Sequence, residues 1–161
     1  MPLLPMHTER LDLLPLEVGF AEEMAGVLAD PELPVEALRA RYVRQVAGAP
    51  EPGVEWWNWV IRLREEGRLV GYVQATVVAR TVEVAWVVGE PWQRRGIASE
   101  AAGELVGVLT GEAGVRKSGV REVIAHIDPA NVASGAVARG VGLAPTDETH
   151  DGEVRWRLVV A

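Results

Sequence analysis

A chain of 161 residues, 48% hydrophobic and 24% charged, holds material for one compact core and little beyond it, so residues 1–161 are expected to form a single domain. It has no cysteine, which excludes disulfides, thiolate catalysis and cysteine-held metals. A net charge of −7 argues against a nucleic-acid surface, where clustered Lys and Arg grip phosphates, and leans toward cationic partners such as amines.

No apolar run approaches the ~20 residues of a membrane span. Met1-Pro-Leu-Leu-Pro-Met-His7 lacks the charged-then-apolar order of a signal peptide, so a cytoplasmic protein without a membrane partner is the expectation. From the amino end, Arg10-Leu-Asp-Leu-Leu-Pro-Leu16 reads as a first strand. Apolar residues at helical spacing then run from Val18 to Ala29, where Asp30-Pro31 stops them. A second helix is predicted from Pro34 to Ala47. Proline suits a first helical position, which needs no amide proton, and Leu38, Tyr42, Val43 and Val46 follow a period of about 3.6 residues.

Ala49-Pro-Glu-Pro-Gly53 is a loop before strands over Glu55–Leu63 and Leu69–Val78, which are joined through Glu65-Glu-Gly-Arg68, where Gly67 suits a positive φ. In the first of them, Trp56-Trp57-Asn58-Trp59 alternates, with Trp57 set against Trp56 and Trp59; one face is core, and the other is open to an acceptor pocket or a homodimer contact. The short Arg80-Thr81 connection makes the strand Val82–Val88 antiparallel to its predecessor. A long helix follows from about Arg94 to Leu109, burying Ala98, Ala101, Ala102, Leu105 and Leu109. Next come a strand over Arg121–Ile127, a helix over Asn131–Arg139, and strands near Val141 and over Val154–Val160. That order gives an α/β domain with a mixed sheet. Within it, Val82 to Ile127 forms a parallel crossover, so the loop entering its helix lies at the carboxyl end of the strands, where ligands of open α/β folds bind.

The chemistry concentrates in Glu83-Val-Ala-Trp-Val-Val-Gly-Glu-Pro-Trp-Gln-Arg-Arg-Gly-Ile-Ala98, an apolar run that breaks at Gly89 and Pro91 and restarts as a helix. A helix start carries amides without internal partners at the positive end of the macrodipole, so Gln93, Arg94, Arg95, Gly96, Ile97 and Ala98 form a candidate cradle for a diphosphate. Gly96 has no Cβ to hold a ligand off, and Ala98 keeps the next turn clear. Arg94 and Arg95 either neutralise phosphate charge or form a solvated pair.

Gln93-Arg-Arg-Gly-Ile-Ala98 resembles the Arg/Gln-x-x-Gly-x-Gly/Ala signature of the GCN5-related N-acetyltransferases (GNAT), whose loop binds the pyrophosphate of acetyl-coenzyme A. Asp128-Pro-Ala-Asn-Val-Ala-Ser134, Arg139-Gly-Val-Gly-Leu143 and Asp151-Gly-Glu-Val-Arg-Trp156 resemble later segments of that family. The spacing of Glu83, Trp86, Pro91, Gly96 and Ala98 is similar to the ribosomal-protein alanine N-acetyltransferase (RimJ/RimL-like) branch. The likeness covers most of residues 68–160. It implies a mostly antiparallel sheet of about seven strands with helices on both faces, and acetyl-coenzyme A as cosubstrate without a metal. It further implies that backbone groups of Trp86 and Val88 pair with the pantetheine amides, and that Asn131 contacts the cofactor.

The implied reaction is acetyl transfer to a primary amine, on a small molecule or a protein N-terminus, direct because no cysteine can carry the acetyl group. It needs a base for the amine and a proton for the thiolate. Glu83, the one ionisable residue in an apolar strand, is the candidate base if burial raises its pKa, and a solvated bystander otherwise. Strict alternation puts it opposite Trp86 and Val88. Ser134 is the candidate acid, or water in its place, because the helix that carries a tyrosine in many relatives has none here. Asn131 also reads as an ordinary N-cap. His126 could face the cleft but is left outside the catalytic set; His7 and His150 have no metal-ligand spacing. A noncatalytic acyl-coenzyme A-binding or sensing module is the alternative. A dinucleotide-binding domain fits less well, because the strand is followed by only one of the glycines it needs.

Overall fold

A computed structural model describes residues 3–111 and 119–160. Eight strands form one sheet in the order β1-β2-β3-β4-β5-β6-β8-β7. In sequence these are β1 (Met6–His7), β2 (Leu11–Pro15), β3 (Val54–Leu63), β4 (Arg68–Val78), β5 (Thr81–Val88), β6 (Glu122–Ile127), β7 (Ala144–His150) and β8 (Glu153–Val159). Four α-helices accompany them among the described residues: α1 (Ala21–Leu28), α2 (Val35–Ala47), α3 (Ile97–Thr110) and α4 (Val132–Gly140). All pairings are antiparallel except β5 with β6. The expected mixed sheet and parallel crossover are therefore present.

The eighth strand is the two-residue β1, which folds back on β2 through a turn closed by Thr8 donating to the Leu11 carbonyl. So short a pairing has no period to read. The first helix opens with a 3-10 turn, Val18–Phe20, and α3 starts at Ile97 rather than near Arg94. Arg94 and Gly96 both have positive φ, 64° and 75°, which no right-handed helix accommodates. The strand expected near Val141 begins at Ala144, because Gly142, at φ 103°, turns the chain first. The tryptophans also sort differently: Trp57 and Trp59 face Ala75 and Val73, whereas Trp56 and Asn58 face Thr76 and Gln74. Residues two apart on a strand share a face, so Trp57 belongs with Trp59.

Helices cover both faces. Along β4, Tyr72, Gln74 and Thr76 line a cavity with Leu38, Arg41 and Tyr42 of α2. Their partners on β5 are Val87, Ala85 and Glu83, so α2 lies on the Glu83 face. The other face carries Ala125 and Trp156, which pair across β6 and β8; α4 packs there, Gly135 lying against the Trp156 ring, and α3 touches α4.

Among the described residues, Asp12 is the buried charge, 6% exposed. Its carboxylate accepts from Arg62 at 2.8 Å, meets His7 Nδ1 at 2.7 Å and accepts from Arg64 at 3.0 Å. The Arg62 and His7 hydrogen bonds hold its carboxyl far below the usual carboxylate range, against burial, which pushes the other way. A depressed folded pKa contributes stability that is complete above the unfolded value of about 4 and drains away as pH falls below it. Asp12→Asn is expected to cost about 2–3 kcal/mol in urea unfolding at pH 7, toward the low end for a broken buried pair because the arginines remain partly solvated. That loss should shrink on acidification from pH 4.

Candidate active site

The parallel pairing of β5 with β6 lasts three residue pairs, Thr81↔Glu122, Val82↔Val123 and Glu83↔Ile124. Beyond it β5 continues to Val88 hydrogen-bonded to β4 alone, and β6 continues to Ile127 bonded to β8 alone. The two strands thus leave a wedge with Glu83 and Ile124 at its apex. The phase of the ladder follows from Gly89, which donates to the Val70 carbonyl on the β4 side. In the two-residue repeat of an antiparallel pair, Val84, Trp86 and Val88 then turn their N–H and C=O groups the other way, into the wedge. Arg80 agrees in phase, its carbonyl accepting from Glu122 of β6.

At the wide end of the wedge lies the Gln93–Ala98 loop. Among the described residues, the six successive amides of Arg94, Arg95, Gly96, Ile97, Ala98 and Ser99 have no hydrogen-bond acceptor; the first helical bond is Glu100 to the Gly96 carbonyl. Left-handed residues at Arg94 and Gly96 curl the chain just before the helix, and aligned free N–H groups at such a place attract an anion. The Ile97 side chain is core, so only its amide is available, and Ala98 is half-buried rather than buried.

The loop's side chains mostly hold the loop itself. Gln93 Nε2 donates to the Val88 carbonyl at 2.9 Å. Arg95 pairs with Glu66 at 3.1 Å, and Trp92 Nε1 donates to the same carboxylate at 3.0 Å; these two contacts, Trp92 first, keep the Glu66 carboxyl below its ordinary range. Arg94 has no such partner among the described residues. Sequence reasoning missed a further anchor. Glu100, one turn into α3, accepts from Thr8 Oγ1, from the Arg10 amide at 2.9 Å and from Arg10 Nε at 2.7 Å. Burial pushes the Glu100 carboxyl up, but these bonds together outweigh it and bring it down. They also place the Arg10 guanidinium 3.5 Å from where a Cβ on Gly96 would sit. Some ninety residues separate the partners in sequence, and nothing local announces them.

Glu83 points to the α2 face, opposite Trp86 and Val88, with no register shift between β4 and β5, as alternation required. Its side chain is 47% exposed, so the burial invoked for it from the sequence is absent. It has a neighbour instead: His126 Nδ1 lies 3.2 Å from Glu83 Oε2, with only 7% of the imidazole side chain exposed. Arg155 Nε donates to His126 Nε2 at 3.1 Å. An arginine has only protons to offer, so Nε2 is the acceptor and the ring proton sits on Nδ1, facing Glu83. The ring of His150 stands 5.3 Å from that of His126.

Asn131 caps α4, its side chain accepting from the Ser134 amide at 3.0 Å. Ser134, one turn into α4, is half-buried on the face away from Glu83. The two candidates for proton transfer thus approach from opposite sides of the sheet, and no contact joins them. Among the described residues, no group of three or more His, Asp or Glu is placed to hold a metal, and no helix is long and apolar enough to cross a membrane.

No protein of curated function matches the sequence. Among solved structures, a GNAT-family acetyltransferase from Bacillus anthracis is 19% identical with a TM-score of 0.76, covering 97% of this chain and 98% of its own. RimL, a ribosomal L7/L12 alpha-N-protein acetyltransferase in complex with coenzyme A, is 13% identical with a TM-score of 0.75 and 98% coverage of both chains. The microcin C7 self-immunity acetyltransferase MccE, in complex with acetyl-coenzyme A and AMP, is 15% identical with a TM-score of 0.75, covering 95% and 94%. All three are acetyltransferases, which lends nothing to a noncatalytic alternative. The family model for the acetyltransferase (GNAT) domain matches residues 8–144, and the chain belongs to that family of enzymes.

Proposed function

We propose that this enzyme transfers the acetyl group of acetyl-coenzyme A directly to a primary amine held on the α2 face of the sheet. The observation that carries the reading is the wedge between β5 and β6, opening onto six unpartnered amides at the start of α3. Free amides at a helix start suit a pyrophosphate, and the wedge-facing groups of Trp86 and the Val88 amide suit the amides of a pantetheine arm. Asn131, at the start of α4, borders the same end of the sheet.

In this reading the amine attacks the thioester carbonyl carbon, the C–S bond breaks, and the thiolate takes a proton. Glu83 accepts the amine proton, directly or through water, with His126 orienting its carboxylate. Ser134 donates to the sulfur from the α4 side. An amine and a thioester thus meet across the gap from opposite faces, which brings the reacting atoms together without an acyl-enzyme. The chain has no cysteine to form one. Similarity to the ribosomal-protein alanine branch supports an amine acceptor in general and leaves the particular amine to the cavity.

The test combines calorimetric titration with coenzyme A and mass-spectrometric detection of acetylated products across an amine panel. Binding with acetylated amine is the expected result; binding with no product on any amine would leave a sensing module instead.

A further inference from the structure

The cavity between α2 and the Glu83 face of β3 and β4 has a volume of about 330 Å³. That is at the small end of ligand sites, which run from roughly 300 to 1,000 Å³. Its aromatic walls are Tyr42, Trp56 and Tyr72, and its polar lining includes Arg41, Arg44, Asn58 and Gln74. No aspartate or glutamate lines it.

That charge pattern runs against the whole chain. Carboxylates outnumber cationic side chains overall, and among the described residues Arg10, Arg62, Arg64, Arg68, Arg95, Arg155 and Arg157 each pair with one, while Arg39, Arg80, Arg94, Arg121 and Arg139 do not. The side chains of Arg41 and Arg44 pair with none and make no hydrogen bond among the described residues; nor do those of Tyr42, Asn58, Tyr72 and Gln74. The placement is helical: Leu38, Arg41, Tyr42 and Gln45 recur at three- and four-residue steps on one face of α2, and all four line the cavity. Burial pushes the Tyr42 hydroxyl up to about 12, helped by Tyr72, which burial raises as well. Both therefore present O–H donors. A cavity walled by donors and two guanidiniums suits an anion, and the planar fork of arginine matches a carboxylate. At its far end Thr76 lies directly across from Glu83.

We propose that the acceptor is a small amino carboxylate with an apolar or aromatic body, its carboxylate held by Arg41 and Arg44 and its amine directed past Thr76 toward Glu83. This rests on the acetyltransferase reading above and deepens it. The aromatic walls bury the body of the molecule. The acidic end of the path, Glu83, meets the ammonium, and the basic end meets the carboxylate. Polyamines fit poorly, because a second cation would stand against unpaired guanidiniums with no carboxylate to offset it.

The experiment compares phenylalanine, phenylalanine amide, phenethylamine and spermidine as acceptors at saturating acetyl-coenzyme A. Phenylalanine is expected to exceed its amide in kcat/KM by at least about tenfold, the scale of one charge-assisted hydrogen bond. The double variant R41Q/R44Q should raise KM for phenylalanine, leave KM for acetyl-coenzyme A unchanged and erase the preference. Equal or better use of the amide, phenethylamine or spermidine overturns the proposal while the enzyme reading stands. A second arm needs no turnover: calorimetric binding of N-acetylphenylalanine against N-acetylphenylalanine amide, with coenzyme A present. Preference for the carboxylate that R41Q/R44Q loses supports the proposal, and equal affinity overturns it. Absence of both coenzyme A binding and acetylation defeats instead the reading on which it rests.

Discussion

Gly96→Glu is expected to abolish acetyl-coenzyme A binding, lowering kcat/KM by at least about 100-fold, the equivalent of roughly 2.7 kcal/mol. Two effects add. Gly96 sits at φ 75°, a conformation that costs an L-residue about 1–2 kcal/mol, so any side chain strains the loop. A carboxylate there also places a negative charge among the six amides proposed to receive the diphosphate. Gly96→Ala separates the two. Its Cβ would meet only the Arg10 guanidinium, at 3.5 Å, so the alanine variant should fold and bind with a several-fold loss at most. Titration calorimetry with coenzyme A reads both variants. A glutamate variant that binds as well as the alanine variant would show that the pyrophosphate lies elsewhere.

Glu83→Gln is expected to lower kcat by about 10²–10⁴, the range of general acid–base catalysis, with KM for acetyl-coenzyme A unchanged. The reason is position rather than burial. Glu83 stands at the apex of the wedge, with the His126 Nδ1 proton directed at its carboxylate and Arg155 fixing the imidazole from behind. His126→Asn removes a positioning residue rather than a proton acceptor, so it should lower kcat less, again with KM for acetyl-coenzyme A unchanged. If Glu83→Gln leaves kcat intact, the carboxylate is a solvated bystander and water alone takes the proton.

Several parts of this enzyme were legible before folding because they depend on short-range rules. The two-residue period of β3, β4 and β5, the Gly67 turn and the short Arg80-Thr81 connection predicted the antiparallel meander that formed. The break at Gly89-Glu-Pro91 predicted a loop with free amides at the carboxyl end of the strands, and that loop precedes α3. Where the helix began was not legible: only the left-handed angles of Arg94 and Gly96 exclude residues 93–96 from it. Gln93 was expected to offer a free amide, yet that amide donates to the Glu90 carbonyl and its side chain to Val88, and Arg95, read as a phosphate partner or half of a solvated pair, binds Glu66.

Sequence alone determined the fold class, the order of elements, the free backbone amides of the loop and the absence of a thiol nucleophile, since local geometry and composition decide each of these. Tertiary structure alone decided which distant groups meet: Arg10 with Glu100 beside the loop, His126 and Arg155 behind Glu83, and Arg41 and Arg44 facing the sheet across a cavity without acids. Pairing over tens of residues is set by strand register and helix packing, and no period along the chain encodes it.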